Sequence, residues 1–274
     1  MTTYESGTED LLAELDGGVL TLTLNRPHAL NAMSGPMTGA LASLLAQAET
    51  DPEVRCIVVT GAGRAFCAGG DVKGMASRGD GSQAPMGIDE RIHRQRVNQR
   101  ATAGRLYTMP KPTLAALPGA AAGAGLSLAL ACDLRIMATS AIMTTAFARV
   151  GFSGDYGGTF FMTQLIGAAR ARELYYLSEK VNAGRALELG LANWTCPAEE
   201  LFDRTRSLAK QLANGPAIAF RYMKENFNRA ISGGDLNDCL DLEATHHVHC
   251  GQTEDHRNAA KAFVEKQQPV FNGR

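Results

Sequence analysis

Residues 151–161, GFSGDYGGTFF, hold one carboxylate, Asp155, among glycines and aromatic rings in an otherwise apolar part of the chain. A carboxylate withdrawn from water has a raised pKa, which makes it a stronger base and, once protonated, a usable acid. Burial among Phe152, Tyr156, Phe160 and Phe161 would raise the pKa of Asp155 in this way. The plainer alternative is a helix cap, because acidic residues favour helix N-termini and a helix is expected to start near Gly157. Two glycine-rich turns follow expected strands: GAGRAFCAGGD at residues 61–71 and PGAAAGAGLSL at residues 118–128. A strand that runs through glycine into a helix leaves free backbone N–H groups, which stabilise negative charge developing on an oxygen. Two such turns would form a two-donor oxyanion hole, unless their small residues serve only close packing. A dinucleotide loop fits less well, since Gly123-Ala124-Gly125 lacks the third glycine of GxGxxG.

Other reactive side chains have weaker contexts. Cys67 lies beside the first glycine turn, but nothing near it in sequence would activate a thiol, so it reads as a pocket lining. His246, His249 and Cys250 in HHVHC have a spacing that fits a metal, or equally a helix surface or subunit contact. Arg91, Arg94, Arg96 and Arg100 form a basic run with no interleaved stacking aromatics, which argues against nucleic acid and for a solvated face or a site near phosphates. The six cysteines are scattered without a CxxC pair, as expected of free thiols.

The elements that must position these residues alternate between strands and helices. LLAELDGGVLTLTL reads as two strands around an Asp16-Gly17-Gly18 turn. Ser34 caps a helix with Pro36 in its first turn and Leu41, Leu44 and Leu45 on one face. VRCIVVTG, PTLAALPG and LRIMAT read as buried strands, with GLSLALACD as a short buried helix. MASRGDGSQAPMG reads as a mobile surface loop that could fold over a ligand. From about Glu199 onward, four amphipathic helices replace the strands. The balance of 27 basic against 28 acidic residues excludes a bulk electrostatic attraction to nucleic acid or membrane and favours a small-molecule partner. An acidic start without a basic-then-apolar leader, and no run long enough to span a bilayer, imply a cytoplasmic protein.

These residues resemble one family over nearly the whole chain. LTLNRPHALNAM, IVVTGAGRAFCAGGDVKGM, AALPGAAAGAGLSLALACDLRIMATSA, GGTFFMTQLIG, GRALELGLAN and EDHRNAAKAFVEKQQPVFNGR are similar to segments of the crotonase (enoyl-CoA hydratase/isomerase) superfamily. The resemblance implies an α/β spiral of strand-strand-helix repeats over residues 1–197. A helical region, 198–274, would build homotrimers or homohexamers. It implies an acyl-CoA thioester as substrate, with coenzyme A as part of it, and no metal, other cofactor, nucleic acid or membrane. The oxyanion donors fall on the N–H groups of Gly70 and Ala124. Arg26, Ala65, Ala68, Asp71, Val72, Lys73 and Phe147, with the two donor residues, fall on substrate-binding positions.

The chain departs from the hydratases of that family at the acids. Their two glutamate positions are Ser127 and Phe147 here, and neither side chain transfers a proton as a carboxylate does. A lone aspartate at position 155 is most similar to the 2-(1,2-epoxy-1,2-dihydrophenyl)acetyl-CoA isomerases and related enoyl-CoA isomerases. One base suffices to carry a proton between two carbons. Further readings are a hydratase with non-standard acid/base residues, a non-catalytic acyl-CoA- or RNA-binding homologue, and an aryl dehalogenase using His93 as its second base. The acyl pocket is expected between about Met75 and Tyr107.

Overall fold

The computed structural model describes residues 2–71 and 87–274. Val72, Lys73 and nearly all of the expected surface loop lie outside the described residues.

Chain order begins with an antiparallel ribbon. Strands β1 (Thr2–Thr3), β2 (Leu11–Asp16) and β3 (Val19–Leu24) pair in sequence, and Gly17 and Gly18 take φ of 57° and 81° at the hairpin tip. That positive φ at two successive residues is what a two-residue hairpin of this twist requires. Beyond β3 every strand of the larger sheet is parallel: β4 (Cys56–Gly61), then β6 (Thr113–Leu117), β8 (Leu134–Ala138) and β11 (Trp194–Cys196). The apolar runs predicted as buried strands are β4, β6 and β8, nearly every residue of which is buried.

A second, smaller sheet has the order β10-β9-β7-β5, made of β5 (Ala65–Cys67), β7 (Ala120–Ala122), β9 (Ile142–Thr144) and β10 (Val181–Asn182). The pairs β4/β5, β6/β7 and β8/β9 each give one strand to the large sheet and the next to the small one. A helix follows: Ile88–Gln99 after β5, Ala124–Ala131 after β7, and Gly158–Leu177 after β9. This is the expected strand-strand-helix spiral. The small sheet was not expected, because strands of two or three residues, rich in alanine, carry no β-periodicity.

Local signals hold where they were specific. The Ser34 hydroxyl accepts from the Met37 N–H at 3.1 Å to start the helix Gly35–Thr50, whose Leu41, Leu44 and Leu45 are buried. Ala124–Ala131 is buried at every residue. The last strand is followed by helices Leu201–Ala213, Ala217–Ile231, Leu236–Gly251 and Glu254–Val264. One buried cation ties these to the core: Lys224 Nζ donates to Asp133 at 2.9 Å, to the Leu106 carbonyl at 2.8 Å and to the Lys111 carbonyl at 3.2 Å. Asp133 also accepts from the Thr113 N–H and hydroxyl. No described helix is long and apolar enough to cross a membrane.

Candidate active site

The two glycine turns meet because the strands before them are parallel neighbours. β5 and β7 pair Ala65 with Ala120 and Cys67 with Ala121, so both chains leave the same end of the small sheet side by side. Contact between the turns demands missing side chains. A Cβ on Gly69, which has φ of 93°, would lie 2.8 Å from the Ala122 carbonyl oxygen and 3.4 Å from the Ala124 nitrogen. A Cβ on Gly125 would lie 2.5 Å from the Cys67 carbonyl oxygen and 2.7 Å from its Sγ.

Both proposed donors are available. Ala124 opens its helix, so its N–H has no carbonyl one turn back, and none elsewhere among the described residues accepts from it. Met33 forms a parallel bridge with Gly70 by donating to the Gly69 carbonyl at 2.8 Å, which leaves the Gly70 N–H without an acceptor among the described residues. Cys67 lies between the turns, with its Sγ accepting from the Gly69 N–H at 3.4 Å. Burial pushes its thiol up to about 12, with a smaller push from the Asp155 charge. A thiol in that state is protonated at neutral pH, which removes it as a nucleophile.

Asp155 is held in a tight turn. Gly154, Tyr156 and Gly157 take φ of 117°, 49° and 76°, so the turn reverses around the acid within four residues. Tyr156 is the strained member, since a side chain disfavours positive φ. Its backbone N–H donates to Gln99 Oε1, at the end of Ile88–Gln99, where the helix loosens into a π-turn at Arg100–Gly104. The Asp155 carboxylate accepts no hydrogen bond from the described residues, and its Oδ1 is buried. Burial alone raises its pKa to about 6. The helix-cap alternative fails, because Gly157 occupies the cap of Gly158–Leu177 and no side chain bonds the free N–H groups there.

The surroundings of Asp155 differ from those expected. Phe152 is 58% exposed, and Phe160, 38% exposed, packs on Tyr107 and Phe161. Tyr156 and Tyr175 lie within its electrostatic reach, since its charge contributes to raising both phenols to about 12 after burial. Tyr175, twenty residues along the chain, has no signal in the sequence. It stacks on buried Phe147 with ring centroids 5.8 Å apart and an interplanar angle of 14°.

Arg26 braces the first turn. Its guanidinium donates to the Ala32 carbonyl at 2.7 Å and to Asp71 Oδ2 at 3.2 Å. Asn31, fully buried and unremarked in sequence, links its loop to β5 by donating to the Ala62 and Ala65 carbonyls at 2.9 and 2.8 Å. Ala65 is buried in β5, and Ala68 is exposed with its N–H donating to the Leu30 carbonyl.

Other candidates lie apart from this centre. Arg91, His93, Arg94 and Arg96 are exposed on Ile88–Gln99, a helix with no buried residue, and Arg100, also exposed, opens the π-turn that follows it. Within the C-terminal helices, His246 stacks on Tyr222 at 4.1 Å, and its Nδ1 bonds Asn226 Oδ1 at 2.6 Å. Its ring thus serves packing between Ala217–Ile231 and Leu236–Gly251.

Comparison with known proteins gives a consistent set of likenesses. A family model described as enoyl-CoA hydratase/isomerase matches residues 14–274. The 1,2-epoxyphenylacetyl-CoA isomerase of Escherichia coli (strain K12) is 37% identical, over 97% of this chain and 99% of its own. A Rhodobacter capsulatus protein named as a probable enoyl-CoA hydratase is 38% identical, over 95% of this chain and 97% of its own. Among solved structures, an enoyl-CoA hydratase from Polaromonas sp. JS666 superposes with a TM-score of 0.87 at 32% identity, covering 95% of this chain and 99% of its own.

Proposed function

Since the chain belongs to the enoyl-CoA hydratase/isomerase family, we propose that it isomerises an acyl-CoA thioester, with Asp155 moving the proton. The carrying observation is a half-buried carboxylate, raised to about 6 and without a donor among the described residues, within electrostatic reach of Cys67, which lies between the two turns whose Gly70 and Ala124 N–H groups lack acceptors among the described residues. Asp155 takes a proton from the carbon beside the thioester carbonyl. The electron pair moves onto the thioester oxygen, where the Gly70 and Ala124 N–H groups stabilise it. The electrons then return to form the conjugated double bond, and Asp155 delivers the same proton two carbons further on. Atoms and charge balance with protein groups alone, so the step asks for no cofactor beyond the coenzyme A of the substrate. A strained ring epoxide on the acyl group would use the same enolate, and the likeness to the Escherichia coli isomerase supports that variant.

Hydration is the second reading, favoured by the Rhodobacter capsulatus relative. Ser127 and Phe147 supply no second carboxylate for it. Incubation with 3-enoyl-CoA and 2-enoyl-CoA separates the two. The expected result is conversion of the first to the second without 3-hydroxyacyl-CoA, and a loss of about 100-fold or more in Asp155→Asn. Accumulation of 3-hydroxyacyl-CoA would establish hydration instead.

Self-assembly through residues 198–274 into trimers or hexamers is part of the proposal. Phe227, Phe263 and Val264, exposed by 69%, 84% and 81%, are apolar surface of the kind a subunit contact covers. A mass near 29 kDa by light scattering would rule it out.

A further inference from the structure

We propose that Tyr175 is a positioning residue that holds the Asp155 turn in register with the Ala124 turn. The inference rests on Asp155 being the base. Tyr175 lies beneath both ends of the Asp155 turn. A Cβ on Gly154 would be 3.1 Å from Tyr175 Cε1, and one on Gly158 would be 2.4 Å from its hydroxyl oxygen and 2.3 Å from Ser127 Oγ. Glycine at these two positions lets the turn settle directly onto the phenol.

The other side of the same cluster reaches the oxyanion turn. Ser127, fully buried, donates to the Gly123 carbonyl at 3.3 Å, and Gly123 immediately precedes Ala124. Phe147 stacks on Tyr175 and lies 3.7 Å from where a Gly123 Cβ would be. Tyr175 therefore touches Asp155's turn directly and Gly123 through two separate neighbours, Ser127 and Phe147. Ser127 meets the same two turns, at Gly158 and at Gly123, so it and Tyr175 form one support between them. A base and an oxyanion hole must hold the two ends of one reacting group, and a misplacement of about 1 Å between them costs on the order of 100-fold in rate. The hydroxyl also lies within electrostatic reach of a carboxylate that has no donor among the described residues, so its removal makes the surroundings less polar and favours the protonated acid.

Tyr175→Phe keeps the ring and deletes only the hydroxyl. The expected result is a kcat lower by roughly 5- to 20-fold with KM within about 2-fold, and an acid limb of the kcat–pH profile moved to higher pH. A purely structural role would lower the melting temperature and leave the limb where it was. Gly158→Ala supplies a second line, since its methyl group meets both oxygens. It should lose roughly 10-fold or more in kcat, and adding Ser127→Ala with Tyr175→Phe should restore it to the level of that double variant alone. Wild-type kcat and an unmoved limb in Tyr175→Phe, or no recovery in the triple variant, would overturn the inference while Asp155→Asn remained inactive. An active Asp155→Asn would instead remove the base on which it rests.

Discussion

Gly69 packs against Ala124 so closely that a methyl group on the first would stand 3.4 Å from the nitrogen of the second. The same methyl would stand 2.8 Å from the Ala122 carbonyl, and φ of 93° disfavours any side chain there. Gly69→Ala should push the two turns apart and misalign the Gly70 and Ala124 N–H groups. Loss of one oxyanion donor costs on the order of 100-fold in kcat, and this substitution is expected to approach that. Steady-state kinetics beside a circular dichroism spectrum would check it. A near-normal rate would show that the turns do not act together.

The pH dependence follows from Asp155. A base must be ionised to accept a proton, so kcat should rise with pH through about 6 and level off above it. An ordinary aspartate would already be ionised well below that. A profile flat from pH 4.5 to 8 would contradict the buried base.

Stability should move in the opposite direction. Burial raises the folded-state pKa of Asp155 above its unfolded value, so the folded protein binds this proton more tightly. The associated stability is full below the unfolded value and is lost as pH rises through about 6. Asp155→Asn removes the cost of an ionised carboxylate that has no donor among the described residues. Allowing for partial exposure, it should stabilise the protein at pH 7.5 by about 1 kcal/mol, with the gain shrinking toward pH 4. Urea midpoints at the two pH values would test the sign.

Lys224 provides a control at a residue that takes no part in the proposed proton transfer. Its replacement by Met would leave two carbonyls short of a donor and remove the cation beside Asp133. Breaking a buried charge pair from one side costs about 3 kcal/mol or more. A fall of that size in urea-unfolding free energy is expected, and an unchanged midpoint would mean that the Lys224 bonds do not stabilise the fold.

Much of this was legible in the sequence because the signals were local. The Ser34 cap, the Gly17-Gly18 hairpin and the long apolar strands follow from short patterns, and each forms as expected. The pairing of the two glycine turns depends on β5 and β7, strands of three residues whose alanines give no alternation to read. Asp155 stood out as an acid among rings, but neighbours in sequence did not identify its neighbours in space. Positive φ at Gly154, Tyr156 and Gly157 reverses the chain beyond an exposed Phe152, and the helix that follows brings Tyr175 back underneath. A contact made by a tight reversal and a returning helix leaves no periodic trace.

The bonds from Lys224 also bear on the order in which the chain folds. They close loops of 118, 113 and 91 residues, to Leu106, Lys111 and Asp133. Such closures are slow to find and cannot form until both ends are nearly in place. Until the segment from Leu106 to Asp133 has assembled, the ammonium group has no reason to leave water. The C-terminal helices are thus expected to dock late, onto a core that is already built, so that a nascent chain would complete its catalytic centre before it completes its surface.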